Sequence, residues 1–218
     1  MPPPAPAAPR VLEASYLASA ATVGQLPSPV GIEIAFAGRS NVGKSSLLNA
    51  LMGRRGLART NRTPGCTRQI SLFELRLAGG AVLRLVDLPG YGFARRSKAE
   101  RSGWAALIET YLAERPTLAA VAILIDARRG AEPEEQALIA LLGEPPRVSR
   151  RPLAVLAVAT KLDKLPASQR QLALERLRRA LGRPVLGSSI HDPKLVATLW
   201  ARLYSATGLL PEAATGGA

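Results

Sequence analysis

The sequence of 218 residues holds one cysteine, Cys66, and one histidine, His191. A single cysteine excludes an internal disulfide framework and favours a reducing compartment. One cysteine and one histidine are also too few ligands for a zinc site built from Cys and His. No apolar run approaches the roughly eighteen residues of a membrane-spanning helix. Residues 1–9 are rich in proline and alanine, which is not the pattern of a secretory signal. We therefore expect a cytoplasmic protein, with Glu13 and the prolines arguing against a mitochondrial transit peptide.

Acidic residues are also scarce, because 16 Asp and Glu stand against 29 Lys and Arg, for a formal net charge of +13 at pH 7. Most of the cations are arginines, which bind phosphate in a bidentate manner. This balance favours a polyanionic partner, either nucleic acid or an anionic membrane face. The alternative is compositional drift in a chain rich in alanine, arginine, leucine and proline. Apolar residues make up 47% of the sequence, enough for the core of one domain.

Strand-like and helix-like segments alternate along the chain. We predict strands at 32–37, 70–77, 82–86, 118–125, 153–160 and 185–188, and helices from about 44 and at 98–114, 133–142, 166–181 and 193–206. The loop 78–80 is typical of a hairpin. The order predicts a three-layer α/β fold: a mostly parallel six-stranded sheet with one antiparallel hairpin strand and helices on both faces. We expect an extended lead-in at 1–28, the domain at 29–208 and a flexible tail at 209–218.

A phosphate-binding loop follows the first predicted strand. The segment Gly38-Arg39-Ser40-Asn41-Val42-Gly43-Lys44-Ser45 matches G-x-x-x-x-G-K-[ST] at each defined position, and a predicted helix follows it. Its glycines let backbone N–H groups surround phosphate oxygens at the positive end of the helix. Lys44 is expected to reach the β- and γ-phosphates, and the Ser45 hydroxyl to bind Mg²⁺ directly. A chance glycine-rich turn is the alternative, and the flanking strand and helix argue against it.

Two further segments are candidates for sensing the γ-phosphate. Asp87-Leu88-Pro89-Gly90 ends a predicted strand, so that Asp87 is expected to hold Mg²⁺ through water and the Gly90 amide to contact the phosphate. Between this motif and the phosphate loop, residues 63–67 offer Thr67 as a second direct Mg²⁺ ligand while γ-phosphate is present. Each pattern taken alone is also an ordinary turn.

Two loops near the C-terminal end are candidates for selecting the base. Thr160-Lys161-Leu162-Asp163 ends a predicted strand, and its carboxylate is able to accept from N1–H and the exocyclic amine of guanine, a donor pair that adenine lacks. The Lys161 stem is expected to pack along the ring. Gly187-Ser188-Ser189 would bring a backbone amide to the guanine oxygen. The alternatives are a helix N-cap for Asp163 and turn or cap roles for the serines.

Together these motifs resemble the translation-factor-like GTPases, and more narrowly the bacterial EngB family of ribosome-biogenesis GTPases. The signatures are Gly-Arg-Ser-Asn-Val-Gly-Lys-Ser-Ser, Leu-Ala-Arg-Thr before Thr-Pro-Gly, and Asp-Leu-Pro-Gly-Tyr-Gly, and the likeness covers residues 31–206. The resemblance implies a Ras-like P-loop GTPase domain that is a monomer and binds GTP and GDP with Mg²⁺.

 

It also implies assembly of the large ribosomal subunit, with its precursor and rRNA as partners, and a part in cell division and septation. The resemblance adds a further set of GTP-binding residues to those of the four loops: Gly65, Cys66, Thr67, Arg68 and Gln69.

Three positions depart from the expected pattern. Arg68 stands where the family usually has Gln, and Gly187 stands where an aromatic residue is common. Thr160 replaces the Asn of most GTPases, as it does across this family, so we expect the loss of a tie to the phosphate loop and a modest affinity for GTP.

Hydrolysis is expected to be slow. Tyr91 follows the D-x-x-G motif where Ras-like enzymes carry a Gln that orients water, and a phenol cannot present the same amide. Asn41 matches the asparagine that marks potassium-stimulated GTPases, which makes K⁺ a candidate source of the missing charge. Lys44 and Asn41 are therefore the predicted catalytic residues. The alternative is that Asn41 only satisfies loop amides.

Arginines cluster in the two segments whose order is expected to depend on γ-phosphate: Arg54, Arg55, Arg59, Arg62 and Arg68 around the first, and Arg95 and Arg96 in the second. A solvated basic face is the ordinary explanation, and coupling of RNA affinity to the nucleotide is the functional one. The rival functions are a P-loop kinase, a GTPase with large extra domains, and a passive RNA-binding protein with a vestigial site.

Overall fold

The structure, a computed structural model, describes residues 8–58, 69–91 and 98–209, with the backbone alone for 98–105. The strands are β1 (Val11–Ala20), β2 (Ile32–Gly38), β3 (Ile70–Leu77), β4 (Val82–Asp87), β5 (Leu118–Asp126), β6 (Ala154–Thr160) and β7 (Val185–Gly187). The helices are α1 (Lys44–Met52), α2 (Lys98–Glu114), α3 (Pro133–Gly143), α4 (Ala167–Leu181) and α5 (Pro193–Ala206).

The strands form one sheet in the order β1-β3-β4-β2-β5-β6-β7. Strands β2, β4, β5, β6 and β7 pair in parallel, whereas β3 is antiparallel to both β1 and β4. The predicted α/β class, the mostly parallel sheet and the single antiparallel hairpin strand are therefore confirmed. The predicted count of six strands is wrong, because β1 adds a seventh within the segment taken as a lead-in.

Strand β1 was not predicted from the sequence, and its irregular pairing explains why. It pairs along the whole of β3, from Val11 opposite Leu77 to Ala20 opposite Ile70. The pairing shifts register between Val11 and Glu13 and again between Tyr16 and Ala18. Each irregularity breaks the alternation of apolar and polar residues that marks a half-buried strand in a sequence.

Helices cover both faces of the sheet, and each face has its own core. Helices α1 and α5 pack over one face, where Phe36, Leu48 and Leu203 are fully buried. Helices α2, α3 and α4 cover the other face, with Leu72 and Ile123 at the centre. Burying each such side chain stabilises the fold by about 1.5–3 kcal/mol. Because both faces are covered, the interior strand β5 is buried along its whole length, which explains its continuous apolar sequence.

A charged cluster lies at the end of the sheet where β2 begins. The Glu33 carboxylate is completely buried and accepts from the Arg115 guanidinium, with Nη2 to Oε1 at 2.6 Å and Nε to Oε2 at 2.9 Å. The Tyr111 hydroxyl donates to the same carboxylate at 3.0 Å. Burial and then the Glu33 charge raise the pKa of the Tyr111 phenol well above its usual value. This cluster joins β2 to α2 at the far end from the predicted site.

None of the helices in the described part of the chain is long and apolar enough to cross a membrane.

Candidate nucleotide-binding site

The phosphate-loop sequence lies between the end of β2 and the start of α1. Gly43 precedes α1 with a φ of 105°, in the left-handed region that favours glycine. At the other end of the loop, a Cβ on Gly38 would lie 2.9 Å from both the Leu124 carbonyl oxygen and Val42 Cγ1. A side chain at Gly38 would therefore displace the backbone. The two glycines of the pattern are required by local geometry, and the N–H groups of the first turn of α1, which have no partner within the helix, are placed to face an anion.

The phosphate-loop lysine and the D-x-x-G aspartate meet in the structure. Lys44 Nζ contacts Asp87 Oδ1, and the two side chains are 9% and 8% exposed. Asp87 ends β4, which lies beside β2, so the topology of the sheet brings the two motifs together. Ser45, the predicted direct Mg²⁺ ligand, is the second residue of α1.

The residues at this point fit Mg²⁺. A hydroxyl and a carboxylate are the oxygen donors that this hard cation takes, and it usually completes its shell with phosphates and water rather than with a protein cage. No group of three or more His, Cys, Asp or Glu able to hold a metal is found in the part of the chain that the structure describes. Thr67, the second predicted direct ligand, lies outside the described residues together with Gly65, Cys66 and Arg68. Gln69 is exposed, one residue before β3.

The D-x-x-G segment packs directly on the phosphate loop. Ser40 N–H donates to the Tyr91 carbonyl oxygen at 3.2 Å, and Leu88 N–H donates to the Phe36 carbonyl oxygen at 3.0 Å. A Cβ on Gly90 would lie 3.1 Å from Ser40 N, so a side chain there would push the two loops apart. Gly90 therefore allows the close approach that brings its own amide beside the phosphate loop.

The Tyr91 phenol points into the protein. Its hydroxyl donates to Glu135 Oε1 at 3.0 Å, and the residue is 9% exposed. Burial and then the Glu135 charge raise the pKa of this phenol, which stays protonated in the physiological range. Burial likewise raises the pKa of Glu135. The Tyr91 phenol is therefore bound to Glu135, and the slow hydrolysis expected from the sequence stays a prediction.

The acidic start of α3 contributes side chains near the phosphate loop that were not predicted from the sequence. Glu132 and Glu135 form a reciprocal capping box, and Pro133 occupies the first turn of the helix. Glu132 also forms an ion pair with Arg39 of the phosphate loop. The proline and the acidic residues are a recognisable helix-start signal, but nothing in that signal indicates a contact with the phosphate loop.

The residues predicted to select the base line a cavity of about 150 Å³ next to the phosphate loop. Ser189 Oγ donates to Asp163 Oδ1 at 2.9 Å, and this bond joins the two predicted base loops. Burial acts to raise the pKa of Asp163, but the hydrogen bond from Ser189 and the nearby Lys164 ammonium outweigh it and lower the pKa. The alternative role of Asp163 as an N-cap is wrong, since Pro166 is the capping residue of α4.

The Gly187-Ser188-Ser189 segment is tied to β6. Ser188 N–H donates to the Ala159 carbonyl oxygen at 2.7 Å, which leaves Ser189 as the better candidate for an amide that faces a base. Ser189 Oγ also accepts from His191 N–H at 3.2 Å, so the turn role considered for the serines is present as well. A Cβ on Gly187 would lie 2.6 Å from Leu162 Cδ1, so a larger residue here would require the Leu162 side chain to move.

Thr160 forms the contact with the phosphate loop that we expected to be lost. Its hydroxyl donates to the Val42 carbonyl oxygen of the phosphate loop at 2.7 Å. The expectation of a lost tie is therefore wrong, and the modest affinity argued from it loses that support. The reason is that the last residue of β6 lies close enough to the phosphate loop for a short hydroxyl side chain to reach it.

Lys161 links the base loop to the phosphate loop. Its Nζ donates to the Asn41 carbonyl oxygen and lies 3.0 Å from Asp126 Oδ2. Arg128 Nη2 binds the same oxygen at 2.7 Å. Burial acts to raise the pKa of Asp126, but the bonds from Arg128 and Lys161 outweigh it and hold the pKa well below its usual range. Sequence reasoning missed Asp126, although a carboxylate that ends a buried strand is a signal for such a role.

The catalytic candidate Asn41 is exposed and has a φ of 62°. Among the described residues its side-chain amide makes no hydrogen bond. The alternative in which this side chain only satisfies loop amides therefore has no contact to support it. Arg54 and Arg55 are exposed just beyond α1, whereas Arg59, Arg62, Arg95 and Arg96 lie outside the described residues.

Known proteins resemble this chain over most of its length. The 50S ribosome-binding GTPase family matches residues 33–161. The probable GTP-binding protein EngB of Anaeromyxobacter sp. (strain K) is 41% identical over 215 residues, which cover 94% of this chain and 96% of that protein. The EngB protein of Myxococcus xanthus (strain DK1622) is 38% identical over 205 residues, covering 91% and 97%.

A crystal structure of a probable GTP-binding protein engB has the same fold, with a TM-score of 0.61 at 23% identity over 81% of this chain and 98% of that chain. Identity at this level bears on the fold alone, whereas the two sequence matches cover nearly the whole chain at higher identity. The chain therefore belongs to the EngB family of GTP-binding proteins, within the 50S ribosome-binding GTPases.

Proposed function

We propose that this protein is a guanine-nucleotide switch that binds GTP and GDP with Mg²⁺ and hydrolyses GTP slowly. The observation that carries the proposal is the meeting of the Asp163 pocket with the phosphate loop through Thr160 and Lys161. A base with a donor pair in that pocket places its phosphates at the N-terminus of α1. The ionised Asp163 carboxylate favours guanine, because adenine presents no matching donors.

Each loop has a distinct role in this proposal. The phosphate-loop amides and Lys44 bind the phosphates, and Lys44 must leave its contact with Asp87 to do so. Ser45, Asp87 and Thr67 would hold Mg²⁺, which neutralises phosphate charge when bound. Gly90 lies against Ser40 and is placed to sense the γ-phosphate through its amide. Asp126 positions Lys161 for the base.

We further propose that K⁺ accelerates hydrolysis through Asn41, whose amide makes no hydrogen bond to the described residues. Turnover in KCl should exceed turnover in NaCl by about tenfold with ribosomal particles present, equivalent to about 1.4 kcal/mol of the barrier. Steady-state phosphate release at equal ionic strength measures this ratio. In Asn41→Ala the ratio should fall to one while GDP affinity stays unchanged. Equal turnover of the unchanged protein in both salts would contradict the proposal.

The cellular process that we propose is assembly of the large ribosomal subunit in the cytoplasm, by a monomer that contacts the subunit precursor and its rRNA. Family membership and the net charge of +13 support this partner. Impaired cell division and septation are expected when the protein is lost. A P-loop kinase would not need the Asp163 pocket, and a passive RNA-binding protein would tolerate Lys44→Ala without loss of function.

Binding to large-subunit precursors should depend on the nucleotide. Co-sedimentation in low salt should be at least tenfold tighter with a non-hydrolysable GTP analogue than with GDP, because γ-phosphate would order the arginine-rich segments, and it should fall steeply with added salt. Lys44→Ala, which removes a phosphate contact, should make the two nucleotide conditions alike. Identical sedimentation of the unchanged protein with GTP analogue, GDP and no nucleotide would contradict a switch.

A further inference from the structure

Helix α4 carries a group of arginines that the fold does not use. Arg176, Arg178 and Arg179 are exposed, and they make no hydrogen bond or ion pair with any residue that the structure describes. The opposite side of the helix anchors it, since Leu177 is 1% exposed within the core of that sheet face. The single acidic residue of α4, Glu175, accepts a hydrogen bond from Gln171 Nε2 at 3.1 Å.

Several arginines elsewhere in the described chain are bound to carboxylates of the fold. Arg115 is bound to Glu33, Arg84 to Glu74, and Arg128 to Asp126. The three arginines of α4 have no such carboxylate among the described residues, and their charge is available to an external anion. Arg176 and Arg179 lie on neighbouring positions of the helix surface, because residues three apart are one turn apart.

We propose that the α4 arginine face, defined as Arg176, Arg178 and Arg179, is an RNA-phosphate-binding surface that contributes equally with GTP and GDP bound. This inference rests on the proposed function for its partner and adds a second contact surface to it. A guanidinium group binds phosphate oxygens in a bidentate manner, and arginine side chains supply many of the phosphate contacts that proteins make to nucleic acids.

An RNA fits this face better than a membrane surface does. A helix that lies on a membrane buries apolar residues beside its cations. On α4 the leucines at 174, 177 and 181 pack against the protein core instead. Leu172, at 47% exposed, is the one large apolar side chain of α4 among the exposed residues. Binding of an RNA phosphate backbone requires the positive charges of α4 and no exposed apolar stripe beside them.

The position of α4 makes its contribution independent of γ-phosphate. Strand β7, against which α4 packs, is one edge of the seven-stranded sheet, and β1 is the other. Arg54, beside the first arginine-rich segment, reaches the Leu12 carbonyl oxygen of β1 at 3.4 Å. Six strand spacings separate the edges by roughly 30 Å. Helix α4 also follows the base loop, and the base is common to GTP and GDP.

The test measures the salt dependence of binding to protein-free large-subunit rRNA, with GDP and with a non-hydrolysable GTP analogue. In Arg176→Gln/Arg179→Gln the slope of log K against log salt should be shallower by about 1.4–1.8, at about 0.7–0.9 for each lost phosphate contact. The loss should be the same fold-change in both nucleotide states. Affinity for GDP should stay unchanged, because these side chains do not line the base cavity.

A matched variant controls for net charge. Arg76→Gln/Arg147→Gln also removes two positive charges, from side chains that are each 68% exposed and ion-paired with Glu13 and Glu114. It should leave the slope within about 0.5 of the unchanged protein. An equal decrease of the slope in the two variants would overturn the proposal. It would also be overturned if Arg176→Gln/Arg179→Gln lost binding to anionic phospholipid vesicles but kept its binding to RNA. Failure of the switch would appear separately, as equal affinity of the unchanged protein in both nucleotide states.

Discussion

Asp163→Asn is expected to lower the affinity for GDP and GTP by about 10²–10⁴. The carboxylate accepts from two guanine donors, and each charge-assisted hydrogen bond contributes about 1.5–3 kcal/mol. Asparagine removes the charge and sets its own N–H₂ group against one of the donors. Fluorescence titration with labelled nucleotide measures the loss. Xanthosine diphosphate, which carries a carbonyl where guanosine has the amine, should bind the variant better than GDP does.

Ser189→Ala is the graded control for this result. It removes the 2.9 Å bond that positions Asp163 but leaves the carboxylate in place. Its effect should be about tenfold, the magnitude of one net hydrogen bond. If Asp163→Asn retains the affinity of the unchanged protein, or if xanthosine and guanosine diphosphates keep their original ranking, the assignment of the base pocket is wrong.

The sequence predicted those parts of the site that are contiguous. Residues 38–45 form the phosphate loop because glycine geometry, the lysine and the helix start all lie within eight positions. Asp87 and Asp163 could be placed because each follows a buried strand, and the carboxyl ends of parallel strands meet at one edge of the sheet. The predicted helix bounds also agree closely with the observed ones, because α4 and α5 are amphipathic and α3 begins with a proline and acidic residues.

What the sequence could not predict depends on contacts between distant positions. Asp126 meets Lys161 across 35 positions, and Glu135 meets Tyr91 across 44. No local pattern states which carboxylate will face which cation or phenol. The hydroxyl of Thr160 reaches Val42 across 118 positions, so its role depended on the relative placement of β6 and the phosphate loop. The bulges of β1 removed a periodic signal that is usually local.

Glu33→Gln is expected to lower the free energy of unfolding by about 3–5 kcal/mol. Removing one member of a buried ion pair leaves the other charge without compensation. Here Arg115 would keep its charge while 7% exposed, and the Tyr111 hydroxyl would lose its charged acceptor. In a chain of this size the change corresponds to a fall of roughly 6–20 °C in melting temperature. Thermal and urea unfolding monitored by circular dichroism measure it.

The double variant Glu33→Met/Arg115→Met separates pairing from burial. Replacing both charges with apolar side chains of similar size is often neutral or stabilising, so the double variant should be more stable than Glu33→Gln. The charged cluster lies at the start of β2, whereas the phosphate loop lies at its other end. GDP should therefore raise the stability of both variants by the same amount as in the unchanged protein. A single variant as stable as the unchanged protein, or a double variant less stable than the single, would show that Glu33 does not stabilise the fold through Arg115.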